Sequence, residues 1–490
     1  MRILILGKSI NVSPIAPGLM IRIFRYFSMV LKNIIFSGIN NHIRSNNKVT
    51  RPKEKGGRVE MENSKLHPRL RLMQDADMKG KIVLVRVDHN VVKKGKIKDP
   101  YRIEATMGTL YGVVEKGGRP ILMTHVGRPR DKKTGEIRCD DSLSVEPIVK
   151  YLRNKLPIDI HIPAFAPEGT KGIVHIDESV RTAIEDLKRG TIGMIYLPNT
   201  RWFLGEQSKG EEREAFCNEL ASLADLFVND AFGSWQAHVS TYDIAMKLPS
   251  YAGFLLQKEL IHLDLVLNPT HPYVAVIAGA KYDTKIGPLK ALYKKVDHLI
   301  LGGLIYNTYL SAKYGIHIQG VSEEEINMAK ELVQMDEKEN KILELPYMVE
   351  SEITDGREEG KWRKISLEEM KKNGKINYIV DVAPECFELP SVKEAILSAK
   401  TIFVNAVVGL MPFFHEGSAR LYQIIFDNHD ATKLFGGGDT LQELKNLAPR
   451  QYLVGLDSAD TYYFTGGGSV LAAIEQNDPY HIKPIEALMA

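Results

Sequence analysis

Polar residues able to do chemistry gather where short apolar runs stop. Asp88 and Asn90 follow "KIVLVRV", with Arg86 inside the run and Arg102 a short way on. His125 and Arg128 follow "RPILM"; Asn199 and Arg201 close "IGMIYLPNTRW"; Asn229, Asp230 and His238 follow "ADLFV". Guanidinium forks match carboxylate and phosphate oxygens two at a time, so this collection suits a small anion. Each residue alone has a plainer use: a strand-end Asp or Asn commonly caps a turn or helix, and a lone His or Arg is usually structural or surface charge. Recurrence at four successive strand ends is what points to a site.

The second half offers lysine and glycine. Lys281 ends "YVAVIAGAK" and Lys285 follows it. If "YDTKIGPLKALYKK" is helical, both lysines lie near its N-terminus on one face, where amide N–H groups and the helix dipole already favour an anion. "GGGDT" carries Gly436, Gly437, Gly438, Asp439 and Thr440, and "TGGGS" repeats the turn at Gly466–Gly468. Consecutive glycines are costly to order; they let a backbone approach a phosphate closely and aim N–H groups at it. Asp439 beside them has the chemistry of a Mg²⁺ ligand. Asp439 with Gln442, and Thr440 with Glu443, also make plausible helix-capping pairs. No GxxxxGKS/T run occurs in the sequence, which excludes the P-loop route.

The elements that must position these residues alternate. Residues 81–91, 119–130, 192–202 and 224–234 read as buried strands ending in polar loops, with a helix over 102–118. The second half repeats the design at 273–281, 298–305, 378–385, 401–409, 433–439 and 451–456. Alternating strands and helices build parallel sheets covered on both faces, and ligands in such folds bind beyond the carboxyl ends of the strands. A chain of 490 residues exceeds one comfortable core. The expected fold is α/β: two Rossmann-like lobes with parallel sheets, joined by a long interdomain helix and bending at a hinge. The expected boundaries are 61–249, a linking helix over 250–267, 268–468, and a segment 469–490 returning to the first lobe.

Hydrophobic residues at 44% and charged residues at 26% describe an ordinary globular protein. Cys139, Cys217 and Cys386 fit no metal spacing and no disulfide framework, which favours the cytoplasm. The basic surplus sits at one end: residues 1–60 hold eleven Lys/Arg against two Glu, so the body is acidic and nucleic acid is not an expected partner. The apolar part of that segment is broken by Arg22, Arg25 and Lys32, which excludes a membrane span. Three readings of 1–60 stay open: an over-extended reading frame whose start is Met61, an organelle-targeting segment, or a disordered basic arm.

Taken together, "VRVDHNV", "MTHVGRP", "LPNTRW", "LADLFVNDAFG", "LPSYAGFLLQKEL", "AGAKYDTKI", "LGGLIYNTYL", "FGGGDT" and "TGGGS" resemble, in order, the motifs of the phosphoglycerate kinase family from about residue 78 to 490. In that family "VRVDHNV" reads VRVDFNV. The resemblance implies a first domain binding phosphoglycerate, a second binding MgADP or MgATP, and a hinge that closes them. It implies that Asp88, Asn90, Arg102, His125, Arg128 and Arg201 hold 3-phosphoglycerate. It implies that Lys281 and Lys285 contact nucleotide phosphates and the transferring group, with Arg102 and Lys285 catalytic. Asn405 would lie near the nucleotide, Gly436–Gly438 and Thr440 would wrap the phosphates, and Asp439 would hold Mg²⁺. ATP and ADP are the implied co-substrates, 1,3-bisphosphoglycerate the second product, and a monomer the implied unit. The chemistry agrees independently: a carboxylate acceptor needs no general base, so positioning and charge neutralisation carry the reaction.

Three departures stand out. The family's HRAHAS is "WQAHVS", one residue shorter and without its Arg; Trp235 and Gln236 stand nearby. In "VNAVVGLMP" the family's base-packing Pro is Val407 and its ribose-binding Glu is Pro412; Glu416 is the candidate to reach the ribose instead. A lost charged hydrogen bond costs about 1.5–3 kcal/mol, so weaker binding is expected. The rival expectation is a noncatalytic binding or regulatory paralogue.

Overall fold

The computed structural model describes residues 2–5, 8–11, 66–279 and 285–490. The expectations for residues 1–60 fall outside these, apart from an antiparallel pairing of Arg2–Ile5 with Lys8–Asn11. Lys281 also lies outside the described residues.

The first lobe is a six-stranded, wholly parallel sheet. Its strands are β1 (Ile82–Val87), β2 (Arg119–Met123), β3 (Ile160–His161), β4 (Met194–Tyr196), β5 (Leu226–Asp230) and β6 (Ser250–Ala252), in the order β6-β5-β1-β2-β4-β3. All six residues of β1 are buried, which is why it reads as a continuous β-branched run rather than an alternating one. In chain order the second half holds β7 (Tyr273–Gly279), β8 (His298–Gly302), β9 (Tyr347–Ser351), β10 (Trp362–Ser366), β11 (Tyr378–Val382), β12 (Thr401–Asn405), β13 (Thr432–Gly436) and β14 (Thr461–Phe464). Five of these form a parallel sheet ordered β8-β7-β12-β13-β14, and β10-β9-β11 form a small antiparallel one.

Several local expectations change. The helix read over 102–118 is two pieces, α1 (Tyr101–Ala105) and α2 (Met107–Glu115). At the break, Thr106 Oγ1 donates to Ile103 O at 2.9 Å, the local side-chain bond that competes with regular helix. The linking segment also divides. Ser250–Ala252 is the edge strand β6, Gly253 turns the chain, and α3 runs Phe254–Leu267. Asp230, ending β5, caps α3: its Oδ1 accepts from Leu255 N at 2.9 Å and Leu256 N at 3.2 Å. "QYLVGL" is not a strand but part of a helix, Pro449–Asp457, with Pro449 in its first turn where the missing N–H costs nothing. The true edge strand is the aromatic β14 just after it. "YIVDV" is a strand, but of the antiparallel sheet.

One apolar core runs from a face of the first sheet (Leu84, Ile121, Phe227) through Leu256, Leu260 and Leu263 of α3 into the second lobe (Val274, Val276, Phe403). A second cluster, with Val83, Val85 and Val228, fills the other face of the first sheet. Each such side chain contributes about 1.5–3 kcal/mol, so α3 is welded to both lobes. Glu259 on α3 also accepts from Thr465 N at 2.8 Å and Thr465 Oγ1 at 2.7 Å, tying the helix to the end of β14. The last residues lie on the first lobe, where Arg69 and Arg71 donate to Met489 O and Leu488 O. Among the described residues no helix is long and apolar enough to cross a membrane.

Candidate active site

On the first lobe, the carboxyl ends of β1, β2 and β4 bring their polar residues together. Asp88 Oδ2 accepts from Arg102 Nη1 at 3.2 Å, while its buried Oδ1 has no partner among the described residues. Asn90 Oδ1 accepts from Gly127 N at 2.9 Å and Arg201 Nη1 donates to Gly127 O at 2.6 Å. Both therefore fix the turn between His125 and Arg128, in which Gly127 takes φ +61°, a region costly for other residues. Arg201 Nε is buried without a partner among the described residues.

Arg86, inside β1 and 1% exposed, donates to Val87 O, to Ser240 Oγ at 2.9 Å, and faces His125 Nδ1 at 3.0 Å. Ser240 in turn donates to Glu206 Oε1 at 2.6 Å, and Ser240 N to Glu206 Oε2 at 2.9 Å. Burial, then the guanidinium groups of Arg201 and Arg86, hold His125 well below the usual imidazole range and so neutral. Burial and then Arg86 draw Arg201 down to about 10. This corner concentrates more positive charge than Asp88 and Glu206 balance, a field that favours an anion.

Not every strand-end candidate belongs to it. Asn199 spends its amide on Val126 N, Val126 O, Leu143 O and Arg201 N. Asn229 Oδ1 caps Ala231 N. Asp230 caps α3. These three hold the loops rather than face the opening. Glu206, Ser240 and the buried His89 were missing from the sequence expectation. Glu206 and Ser240 left no trace in the sequence; His89 did, standing where the family motif VRVDFNV has Phe.

The second lobe opens a cleft of about 870 Å³. Lys285, Asn405, Gly437, Gly438, Asp439 and Thr440 line one part; Leu304, Tyr378, Val407, Val408 and Met411 line another. Lys285 does not sit inside a helix. It is the residue before α4 (Ile286–Tyr293), and its Nζ donates to Ala278 O at 2.6 Å and Asn405 Oδ1 at 2.8 Å. Burial lowers its amine to about 8, against a pull upward from Asp439. Asn405 Nδ2 donates to Gly436 O at 2.7 Å, and Thr440 Oγ1 accepts from Ala406 N at 3.1 Å, so β12 and the glycine turn share one scaffold. The turn leads into α5 (Gly438–Leu447), with Asp439 exposed in its first turn.

The glycine runs also serve close packing. A Cβ on Gly467 would sit 2.6 Å from Gly437 Cα, and one on Gly466 would sit 2.5 Å from Gly233 Cα in the first lobe. Across the same junction Tyr101 OH donates to Tyr463 O at 2.6 Å. Arg102 Nη2 comes within 4.0 Å of where a side chain on Gly438 would begin. The first lobe's guanidinium thus faces the amino end of α5.

Two departures resolve in place. Glu416 is held by Arg357 Nη1 at 2.5 Å, which also donates to Phe413 O, so it is not free to serve a ribose. Trp235 is 41% exposed, and its Nε1 lies 2.9 Å from the Cβ position of Gly468, so an indole packs at the junction beside the shortened "WQAHVS".

A family model described as phosphoglycerate kinase matches residues 73–477. The chain belongs to the phosphoglycerate kinase family. A phosphoglycerate kinase of Dictyoglomus turgidum is 34% identical over 411 residues, covering 82% of this chain and 95% of the relative. One from Clostridium tetani is 34% identical over 410 residues, covering 82% and 94%. The solved phosphoglycerate kinase of Coxiella burnetii superposes with a TM-score of 0.64 at 27% identity, over 85% of this chain and 98% of that one. The likeness extends over both lobes, so the phosphoglycerate kinase fold is present whole.

Proposed function

We propose that this chain is an active phosphoglycerate kinase, moving a phosphoryl group reversibly between 1,3-bisphosphoglycerate with ADP and 3-phosphoglycerate with ATP. The observation that carries the reading is the approach of Arg102 to the amino end of α5, with Lys285 on the same cleft. Arg128, Arg201, Asn90 and His125 would orient 3-phosphoglycerate, its carboxylate toward the second lobe. The carboxylate oxygen attacks the γ-phosphorus, the bond to the β–γ bridging oxygen breaks, and ADP leaves. No base is required. Charge develops on the transferring group between Arg102, Lys285 and the amides of Gly437 and Gly438, where fixed donors in a water-poor cleft count most.

The donor set suits Mg²⁺ held chiefly by substrate. No group of three metal-ligating side chains occurs among the described residues, yet Asp439 is exposed beside the phosphate turn. Mg²⁺ favours one or two carboxylates plus phosphates and water over an all-protein cage. Bound there, it would neutralise phosphate charge. The cytoplasm as compartment and the monomer as working unit belong to this proposal. The test is purified protein with 3-phosphoglycerate and MgATP, coupled to a dehydrogenase that consumes 1,3-bisphosphoglycerate. Turnover is expected; binding of both substrates without turnover would leave the noncatalytic paralogue instead.

A further inference from the structure

His89 stands between Asp88 and Asn90 and its ring is wholly buried. A core ring needs only to fill space; this one does more. Its Nε2 lies 2.9 Å from Thr106 Oγ1 and its Nδ1 lies 2.9 Å from Tyr196 OH. Thr106 Oγ1 spends its hydrogen on Ile103 O, so it can only accept from the ring. Nε2 therefore carries the proton and Nδ1 accepts from the Tyr196 hydroxyl. Burial keeps the imidazole neutral, as this tautomer requires. The main chain joins in, His89 N donating to Thr124 Oγ1 at 3.0 Å beside His125.

The three partners come from separate parts of the acceptor site. Thr106 is the break between α1, which carries Arg102, and α2. Tyr196 ends β4, ahead of the loop to Arg201. Thr124 precedes His125, and His89 adjoins Asp88. We propose that His89 is a positioning residue that fixes the helix bearing Arg102 relative to the loops bearing Asp88 and His125. The inference rests on the assignment of this corner to 3-phosphoglycerate. Directional bonds from one buried ring to two elements hold an angle that an apolar ring would leave to packing. Asp88 takes its hydrogen bond from Arg102, so a shift of α1 is felt directly at the guanidinium that faces α5.

The test compares the full-length protein with His89→Phe, which keeps a ring and removes both side-chain bonds. Two buried, satisfied hydrogen bonds are lost, and the part transmitted to the acceptor site corresponds to about a tenfold change in an equilibrium constant. His89→Phe is expected to raise KM for 3-phosphoglycerate about tenfold and to leave KM for MgATP unchanged. Tyr196→Phe, which removes only the Nδ1 partner, should move the same constant less, and His89→Gln, which keeps an N–H donor, should recover part of the loss. A folded His89→Phe protein with unchanged KM for 3-phosphoglycerate overturns the assignment. So does a variant in which both KM values move together with Tm, the mark of a merely structural role. If His89→Phe does not fold, Tyr196→Phe decides by the same criterion. Calorimetric titration with 3-phosphoglycerate separates the two readings. Wild-type protein that binds but does not turn over refutes the kinase reading while the variant still tests His89; absence of binding refutes both.

Discussion

Replacing Lys285 with alanine should damage turnover far more than nucleotide binding. The ammonium is held by Ala278 O and Asn405 Oδ1, two of its three N–H bonds, and is packed against the end of β7. Burial already costs it some of its affinity for a proton, which leaves it poorly solvated and ready to gain from a nearby anion. A ground-state contact to a phosphate from such a donor is worth about 1.5–3 kcal/mol. Many other donors share that load, including the amides at α5. A donor aimed at charge that grows during transfer is worth about 2.7–4 kcal/mol, or about 10²–10³ in kcat. The coupled assay should therefore show kcat for Lys285→Ala down by about 10²–10³, while calorimetry shows Kd for MgATP up by about tenfold, the low end of the ground-state range. An equal loss in both quantities would mean that Lys285 binds ground and transition states alike, and the transfer role would be refuted.

Gly279→Ala would place a methyl 3.1 Å from Lys285 Nζ, so the amine must move; kcat should drop with KM for 3-phosphoglycerate unchanged, and an unaffected kcat would show that the amine's position is not critical. Because the charged ammonium is needed and its pKa is lowered to about 8, kcat/KM for MgATP should fall as pH rises through about 8, a limb that a flat profile would deny. Glu259 is pushed up to about 8 by burial, above its unfolded range; the stability this contributes is full below the unfolded pKa and lost as pH rises through about 8. Tm should thus be higher at acidic than at alkaline pH, with the slope reduced in Glu259→Gln; identical slopes would show that the carboxyl is not responsible.

Strands covered on both faces were legible because burial writes a continuous apolar run, as in β1, β7 and β12. β3 and β6 were not, since two or three residues carry no pattern. "QYLVGL" misled because Leu453 and Val454 are 62% and 61% exposed: their apolarity reflects no burial, and the helix follows from Pro449 instead. Asp88, Lys285 and Asp439 stood out by residue type beside a strand end or a glycine turn, whereas Asn405 and the catalytic role of Arg102 were implied only by the family resemblance. The same rule gathered Asn199 and Asp230, whose hydrogen bonds go to local amides, and only coordinates tell a cap from a ligand. The Arg86–Ser240–Glu206 chain and the contacts of His89 join residues far apart in sequence, so no spacing announces them.

Where Gly233 meets Gly466, the seam between the two halves is bare main chain. Nothing there must freeze a rotamer on meeting or strand a greasy group in water on parting. The grip between the halves comes from what flanks this contact: the hydrogen bond from Tyr101 to Tyr463 O and the apolar core carried through α3. The contact is also intolerant of drift: a side chain on Gly466 would be a wedge driven into the main chain of the other half.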